Sequence, residues 1–517
     1  MRSPLRRPVS PEKPGAGLRL FLRFSVLLIF LIEALGCHRS VSSADADRPL
    51  ELLVSSDAET LDPRYVTDVV GMRVTRLVHA GIARLDPETL VPMPYVARSW
   101  RWHDDKTLEV TLREGVRFHG GSLLSSSDVV ATLRAFASPA VASRHAGVVD
   151  AIASVEADGP SVVRITLRRP HATLLTDLEL PILRADQAFL PPEPTGMLDG
   201  LGPYRVERWS QGEILLSPAE DAALPRPRRA VFVRTVHDEN ARTLRLYAGR
   251  ADIALNAISP TLLPAVEKTA GLAIASRPGA NLTYMVARLG RAPLSDVRLR
   301  RAISASIDRT EIASTLLGGH AERADTVMAP GHWAYTPSPV PLAFDPAGAR
   351  RALQDAGLSG VHLTLLTSTD RLRLSVARFI AQELAEVGIR VEVTPLELGT
   401  LLSRLTAGDF DLATLQLPEL TEPNVLRVFL HSAFIPPAGS NRGRVHDDDL
   451  DALLDEGDRV SGEEARRAAY AAVERRIRDQ LFLLTLWHED QVVVTSERAR
   501  AFVPSREGRW LSLASVP

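Results

Sequence analysis

Residues 100–130 constrain the fold more than any other part of the chain. Within them, apolar and polar residues alternate over 107–112, which is the pattern of a half-buried β-strand. Gly115 is typical of a turn because glycine tolerates positive φ, and the alternation resumes over 116–118. An apolar run with helical spacing follows Asp128, which is a suitable capping residue. The stretch therefore predicts a strand, a turn, a second strand and a helix capped by Asp128.

The identities of these residues add a resemblance. In order and spacing, the stretch resembles the signature of the family 5 extracytoplasmic solute-binding proteins, the peptide- and nickel-type receptors of ABC importers. The matching positions are Ala97, Ser99, Trp100, Asp104, Asp105, Leu112, Arg113, Gly115, Val116, Phe118, His119, Gly121, Asp128 and Val129. Gly120 replaces the aspartate typical of the family, and Ser126 replaces an alanine. Residues 293–309 form a second match, and the resemblance extends over most of residues 50–513.

Length and charge agree with a multidomain binding protein. A chain of 517 residues is too long for one compact core and predicts two or three domains. Its hydrophobic content of 45% is that of a globular protein. The net charge of −2 argues against nucleic acid as a partner, because phosphate binding needs a concentrated basic field.

The N-terminus has the features of an export signal. Basic residues before position 24 are followed by a short apolar run and then by Gly36-Cys37. We expect residues 1–36 to be a signal peptide and 37–49 a flexible tether. Gly-Cys at this place resembles a lipobox, which would make Cys37 the lipidated first residue of a membrane-anchored lipoprotein. An ordinary cleaved signal with a chance cysteine is the alternative.

The resemblance implies an α/β fold of the periplasmic-binding-protein type, two-lobed (type II, cluster C-like) with mixed sheets and an extra small subdomain. Lobe I would comprise residues 50–80, 197–285 and 491–517. Residues 81–196 would form the additional subdomain, lobe II, and residues 286–490 would form lobe III. In this family the ligand is enclosed between lobes that close about a hinge.

Peptide receptors of the family carry a tryptophan and two aspartates before a proline in the last large lobe, and the first aspartate meets the α-amino group of the peptide. Counting back from Pro423 places Glu422 on the second acid, Glu419 on the first and Gln416 on the tryptophan. Glu419 keeps the negative charge that an ammonium group needs. Gln416 lacks the aromatic surface, which argues against an ordinary dipeptide or oligopeptide. A solvated loop carboxylate is the alternative interpretation of Glu419.

Five further residues are candidate ligand contacts. Asn441 and Arg442 resemble the loop that follows this segment in relatives, and an arginine can bind a carboxylate as a fork. Arg371, which follows a predicted strand, is a second anion candidate. Tyr65 and Asp68 follow a Leu-Asp-Pro segment at 61–63 that resembles an early family motif.

The sequence gives no support for an enzyme. It contains no His-Glu-x-x-His, Cys-x-x-Cys or Gly-x-Ser-x-Gly motif and no phosphate-binding glycine loop. The acidic run 446–449 is predicted to cap a helix rather than to bind a metal. We therefore expect no catalytic residue, no metal site and no cofactor.

The sequence and the resemblance together predict the substrate-binding component of an ABC import system. It would capture a peptide or peptide-like solute by hinge closure and deliver it to a permease with ATPase subunits. We expect an extracytoplasmic monomer held at the membrane by a lipid anchor. The alternative is an extracytoplasmic sensor, or a binder of a sugar, an opine or a metal chelate that is not coupled to transport.

Overall fold

Two large mixed sheets, each covered on both faces, form the framework of the molecule. The structure is a computed structural model that describes residues 48–219 and 226–517. The first sheet has seven strands in the order β12-β19-β11-β1-β10-β9-β8. These strands are β1 (Leu50–Val54), β8 (Tyr204–Ser210), β9 (Glu213–Pro218), β10 (Val231–Thr235), β11 (Ile253–Leu255), β12 (Leu272–Arg277) and β19 (Gln491–Ser496).

Strand β1 shows why this sheet is buried on both faces. It pairs in parallel with β10 and β11, and all five of its residues are buried. Because side chains alternate along a strand, Leu52 packs into the core on one face and Leu53 into the core on the other.

The second large sheet has six strands in the order β14-β18-β13-β17-β15-β16. They are β13 (Leu282–Ala287), β14 (Ala321–Arg323), β15 (His362–Ser368), β16 (Arg390–Leu396), β17 (Leu412–Leu417) and β18 (Leu484–Glu489). Strand β15 is parallel to both β16 and β17, and the other pairs are antiparallel. The predicted α/β class with mixed sheets is confirmed.

Two smaller sheets lie between β1 and β8 in the chain. One is the pair β2 (Ala83–Leu85) and β3 (Pro92–Pro94). The other has the order β4-β5-β7-β6, from β4 (Ala97–Trp102), β5 (Thr107–Leu112), β6 (Ile152–Asp158) and β7 (Val162–Leu167). They share one apolar core, which includes Leu108, Val110 and Phe118.

The α-helices of the described chain pack mainly beside these sheets. They are α1 (Val69–Val78), α2 (Ser126–Ala137), α3 (Leu174–Asp177), α4 (Glu239–Tyr247), α5 (Leu263–Glu267), α6 (Val297–Ala305), α7 (Arg309–Glu311), α8 (Pro346–Asp355), α9 (Arg371–Glu386), α10 (Leu398–Ala407), α11 (Val425–Leu430), α12 (Asp448–Arg459) and α13 (Glu463–Gln480). Helices α8 and α12 each begin at an aspartate cap, and the cap of α12 lies in the predicted acidic run. Asp345 accepts a hydrogen bond from the Gly348 amide, and Asp447 accepts one from the Leu450 amide.

The chain passes between the two large sheets twice, and the two crossings are joined. One crossing runs from β12 to β13 and the other from β18 to β19. The side chain of Asn281 donates to the Glu489 carbonyl at 2.6 Å and accepts from the Glu489 amide at 2.8 Å. A Cβ at Gly279 would lie 2.2 Å from that carbonyl oxygen, so glycine is required for the two segments to approach this closely.

Two predictions about local structure were wrong. Residues 116–118 form no second strand, apart from a single bridge at Arg117; the hairpin partner of β5 is β4, which precedes it. Asp128 is not the first cap of α2 but sits one turn inside it, in a capping box with Ser125.

The buried histidine at the end of α1 predicts a pH dependence of stability. His79 is 2% exposed, and neither ring nitrogen has a hydrogen-bond partner within the described chain. Burial, reinforced by the charge of His119, lowers the pKa of His79 to about 3. The pKa of a histidine in the unfolded chain is near 6.5. A histidine whose pKa is lower in the folded protein contributes fully to stability above that pH, and the contribution is lost as the pH decreases from about 6.5 to about 3.

We therefore expect the wild type to lose stability relative to His79→Leu on acidification, by about 1.4 kcal/mol per pH unit below pH 6. Paired denaturant titrations of the two proteins at several pH values measure the difference. The same substitution at exposed His362 controls for loss of an imidazole. A gap between the two proteins that is constant from pH 7.5 to pH 5 would contradict the expectation.

Candidate ligand-binding site

Glu419 lies where three distant parts of the chain meet. It follows strand β17 of the six-stranded sheet. Its Oε2 is 3.4 Å from Nη1 of Arg76 on helix α1, and 3.8 Å from Nη2 of Arg509 near the C-terminus. Arg509 also pairs with Glu179 at 2.6 Å, so a segment beside the small sheets joins the same cluster.

The carboxylate of Glu419 is ionised, and only one of its two oxygens has a partner among the described residues. Burial alone would raise its pKa, but the charges of Arg76, Arg509 and Arg73 lower the pKa below its ordinary value. Its Oε1 is buried and has no hydrogen-bond partner among the residues that the structure describes. A buried acceptor of this kind is costly unless a partner from outside the chain completes it.

Arg73 lies one helical turn before Arg76, and no sequence motif singles it out. Residues three apart lie on one face of a helix, so the two guanidinium groups are neighbours. The Arg73 guanidinium lies 5.7 Å from the Trp510 ring centroid, and its buried Nε has no hydrogen-bond partner within the described ranges. Burial lowers the pKa of Arg73, although an arginine remains charged.

Glu422 is hydrogen-bonded to other side chains of the protein and has a structural role. It is 7% exposed and accepts hydrogen bonds from Arg466 at 2.8 Å and from the Thr176 hydroxyl of α3 at 2.6 Å. The Arg466 guanidinium lies over the Trp333 ring, 4.6 Å from its centroid. Burial raises the pKa of Glu422, and Arg466 opposes the shift. This second acid therefore links helix α3 to helix α13.

Gln416 lies beside a second ion pair, which Arg373 and Glu489 form. Its side chain lies near the carboxylate of Glu489, which is 2.8 Å from Arg373. The sequence had pointed to Arg371, which is exposed, whereas Arg373 faces inward. Two residues turn a helix by more than half a revolution, which explains why the neighbouring arginine takes the inward place.

The remaining candidates lie in other surroundings. Asn441 is fully buried, and its amide donates to the carbonyls of Leu430, His431 and Val445. Arg442 is half-buried beside a small cavity lined also by Tyr284. None of these contacts includes the Glu419 cluster.

Tyr65 and Asp68 also make contacts within the fold. The Tyr65 hydroxyl donates to the Val141 carbonyl at 2.8 Å. Asp68 caps α1 by accepting from the Gly71 amide at 2.7 Å. Cys37 lies outside the described residues.

Two features are absent from the residues that the structure describes. Between residues 48 and 219 and from 226 onward, no helix is both long enough and apolar enough to cross a bilayer. The same ranges hold no group of three or more histidine, cysteine, aspartate or glutamate side chains arranged to hold a metal ion.

Two large mixed sheets, linked by two chain crossings and by the ion pairs of Glu419, are the arrangement expected of a two-lobed solute-binding protein. Residues 91–424 match the family described as bacterial extracellular solute-binding proteins, family 5 (middle). The match covers more than half of the chain, so this protein belongs to that extracytoplasmic family, whose members bind solutes rather than catalyse reactions.

Individual relatives agree in sequence and in fold. The chain is 28% identical over 373 residues to the glutathione-binding protein GsiB of Escherichia coli K12, covering 69% of this chain and 71% of that protein. The ABC transporter substrate-binding protein CtaP of Listeria monocytogenes superposes with a TM-score of 0.82, at 22% identity, over 90% of this chain and 98% of that one. DppA of Helicobacter pylori, solved with the peptide STSA, superposes with a TM-score of 0.77 at 23% identity, over 91% and 98%. The predicted two-lobed binding-protein fold is thereby confirmed.

Proposed function

We propose that the chain is the substrate-binding component of an ABC importer and that it captures a peptide or peptide-like solute. The observation that carries the proposal is Glu419, an ionised carboxylate with one buried oxygen that has no hydrogen-bond partner among the described residues. An ammonium group supplies the donors and the charge that such an oxygen needs. The printed functions of GsiB, a glutathione-binding protein, and of DppA, solved with a peptide, support this ligand class. Delivery would be to a permease with ATPase subunits.

Binding proceeds by hinge closure between lobes. In our proposal lobe I comprises residues 50–80, 197–285 and 491–517, lobe II residues 81–196, and lobe III residues 286–490. The joined crossings at Asn281 supply a connection about which lobes I and III rotate. Contacts of Glu419 with Arg76 and Arg509 tie lobe III to lobe I, as a closed state requires. A ligand favours closure to the extent that it binds the closed state more tightly than the open one.

A thermal-shift screen tests the ligand class. We expect peptides or peptide-like amines to raise the melting temperature, because a ligand that binds only the folded state stabilises it. Amino acids, opines, oligosaccharides and nickel chelates complete the panel. A shift with sugars or chelates alone would contradict the peptide proposal and leave membership of the family intact. If no compound of the panel raised the melting temperature, the result would favour the sensor alternative.

In this proposal the protein is a monomer, and a lipid attached to Cys37 anchors it to the membrane. We expect the full chain, produced in a bacterium that processes lipoproteins, to partition into the detergent phase in a Triton X-114 extraction. A single acyl chain binds membranes only weakly, so the diacylated form is the one expected to partition fully. Cys37→Ser is expected to move to the aqueous phase.

Replacement of the neighbouring Ser40 by alanine is the matched control, because it leaves the cysteine in place. Equal partitioning of the wild type and Cys37→Ser would contradict the anchor and leave an ordinary cleaved signal as the explanation of residues 1–36.

A further inference from the structure

We propose that the site recognises an intact α-amino-acid head group, with the ammonium on Glu419 and the adjacent carboxylate on Arg73. The inference rests on the proposed function and narrows its ligand class. An α-linked peptide has an N-terminal ammonium, but the carboxylate of that first residue is consumed in the peptide bond. A solute linked through its side chain, such as a γ-glutamyl peptide, keeps both charges on one carbon.

The cluster contains several buried polar atoms without a hydrogen-bond partner in the described residues, among them Nε of Arg509, and one acceptor and one donor of this kind carry the inference. The acceptor is Oε1 of Glu419, and the donor is Nε of Arg73; both are buried and without a partner in the described chain. In native structures nearly all buried polar atoms are satisfied, so an unpaired acceptor and an unpaired donor in one cluster indicate a ligand that carries the complementary pair. A zwitterion carries that pair within a few ångströms.

Arg73 differs from the other two arginines of the cluster in having no acid of its own. Arg509 is 2.6 Å from Glu179, and Arg76 is 3.4 Å from Glu419. Arg73 forms no ion pair with any carboxylate in residues 48–219 or 226–517, although Glu419 and Glu507 are near enough to influence it. The charge of this half-buried guanidinium is not compensated by an acid of its own, and a ligand carboxylate would supply the missing charge through a two-pronged contact.

The surroundings of Arg73 fix its position. The Trp510 ring supports the guanidinium from one side at 5.7 Å, an arrangement that favours a planar cation. Gly508, at φ +76°, leaves room for it, since a Cβ there would lie 2.7 Å from Nη2 of Arg73. Arg73 is thus held one helical turn from Arg76, which itself reaches Glu419.

The two open atoms are withdrawn from solvent, so the solute must enter when lobes I and III are apart. On closure the ammonium meets Oε1 of Glu419 while Arg76 remains on Oε2. The carboxylate then lies beside Arg73, and Arg76 adds a second positive charge nearby. The rest of the solute extends away from this corner, so its chemistry is set by other residues.

Two isomeric dipeptides test the inference, γ-glutamylalanine and α-glutamylalanine, which have the same composition and charge. Isothermal titration of the purified protein is expected to show the γ isomer binding at least about tenfold more tightly, because a buried polar site rejects an analogue that lacks the matching group. Arg73→Gln is expected to bring the γ isomer to the level of the α isomer. Arg378→Gln, at an exposed arginine of α9, is the matched control and should preserve the preference.

The variant Arg73→Lys controls for misfolding, because it keeps the positive charge and removes only the planar guanidinium fork. It is expected to retain part of the preference for the γ isomer. Equal binding of the isomers, or an α preference, overturns the inference and leaves peptide binding standing. An unchanged preference in Arg73→Gln also overturns it. Failure of both isomers and of other peptides to bind removes the inference and the proposed function together.

Discussion

Glu419→Gln is expected to weaken the binding of an amine-bearing solute by roughly 30-fold or more. Removing one partner of a buried, hydrogen-bonded charge pair costs about 2–5 kcal/mol, and each 1.4 kcal/mol is a factor of ten. Glutamine keeps the shape of the side chain, so the loss reports the charge. The substitution also leaves Arg76 and Arg509 with one acid fewer in a cluster where every charge is partly buried.

Isothermal titration with a solute that shifts the melting temperature of the wild type measures this effect. Glu392→Gln is the control, since Glu392 is an exposed glutamate of strand β16. Affinity within threefold of the wild type would contradict the placement of the ammonium on Glu419, and would support the alternative that this acid serves only to pair Arg76 and Arg509.

Arg64→Met is expected to destabilise the protein by about 3–5 kcal/mol, the cost of leaving a buried charge without its partner. The side chains of Arg64 and Asp62 are both fully buried and lie 2.6 Å apart. Arg64 also donates to the carbonyls of Ala188, Leu190 and Pro191. Together the pair fixes the segment that leads from the small sheets back to the seven-stranded sheet.

Urea unfolding followed by circular dichroism measures the loss as a shift in the midpoint of the first transition, because a chain of this size need not unfold in two states. The double variant Asp62→Asn, Arg64→Met is expected to lose less than the sum of the two single variants, since the second change removes a partner already lost. An unchanged midpoint for Arg64→Met would contradict the role assigned to the pair.

Local patterns predicted the buried elements of the fold well. Strand β5 alternates cleanly because its apolar side chains enter the core, and helix α12 begins at Asp447, within the acidic run expected to cap it. Strand β4 was missed because it buries little beyond Ala97 and carries arginine and tryptophan on exposed positions. No alternation of apolar residues was available to reveal it.

The site could be predicted only in part for a different physical reason. Glu419 was found by counting from Pro423 within a family motif. Arg73 and Arg509 come from segments far from Glu419 in the chain, before and after it, and their meeting with Glu419 depends on how the sheets pack. Similarly, whether Arg371 or Arg373 faces inward depends on where helix α9 begins, which a local pattern fixes only to within a residue or two.

The distance between the lobes, measured with and without solute, tests the central claim most directly. Spin labels at Ser210→Cys in β8 and Arg390→Cys in β16, with Cys37 replaced by serine, place one exposed probe on each large sheet. We predict that pulsed electron paramagnetic resonance shows a broad or two-peaked distribution of distances between the two labels without solute, and a single narrow peak when a peptide-like solute is bound. A distribution unchanged by a solute that binds would contradict capture by hinge closure.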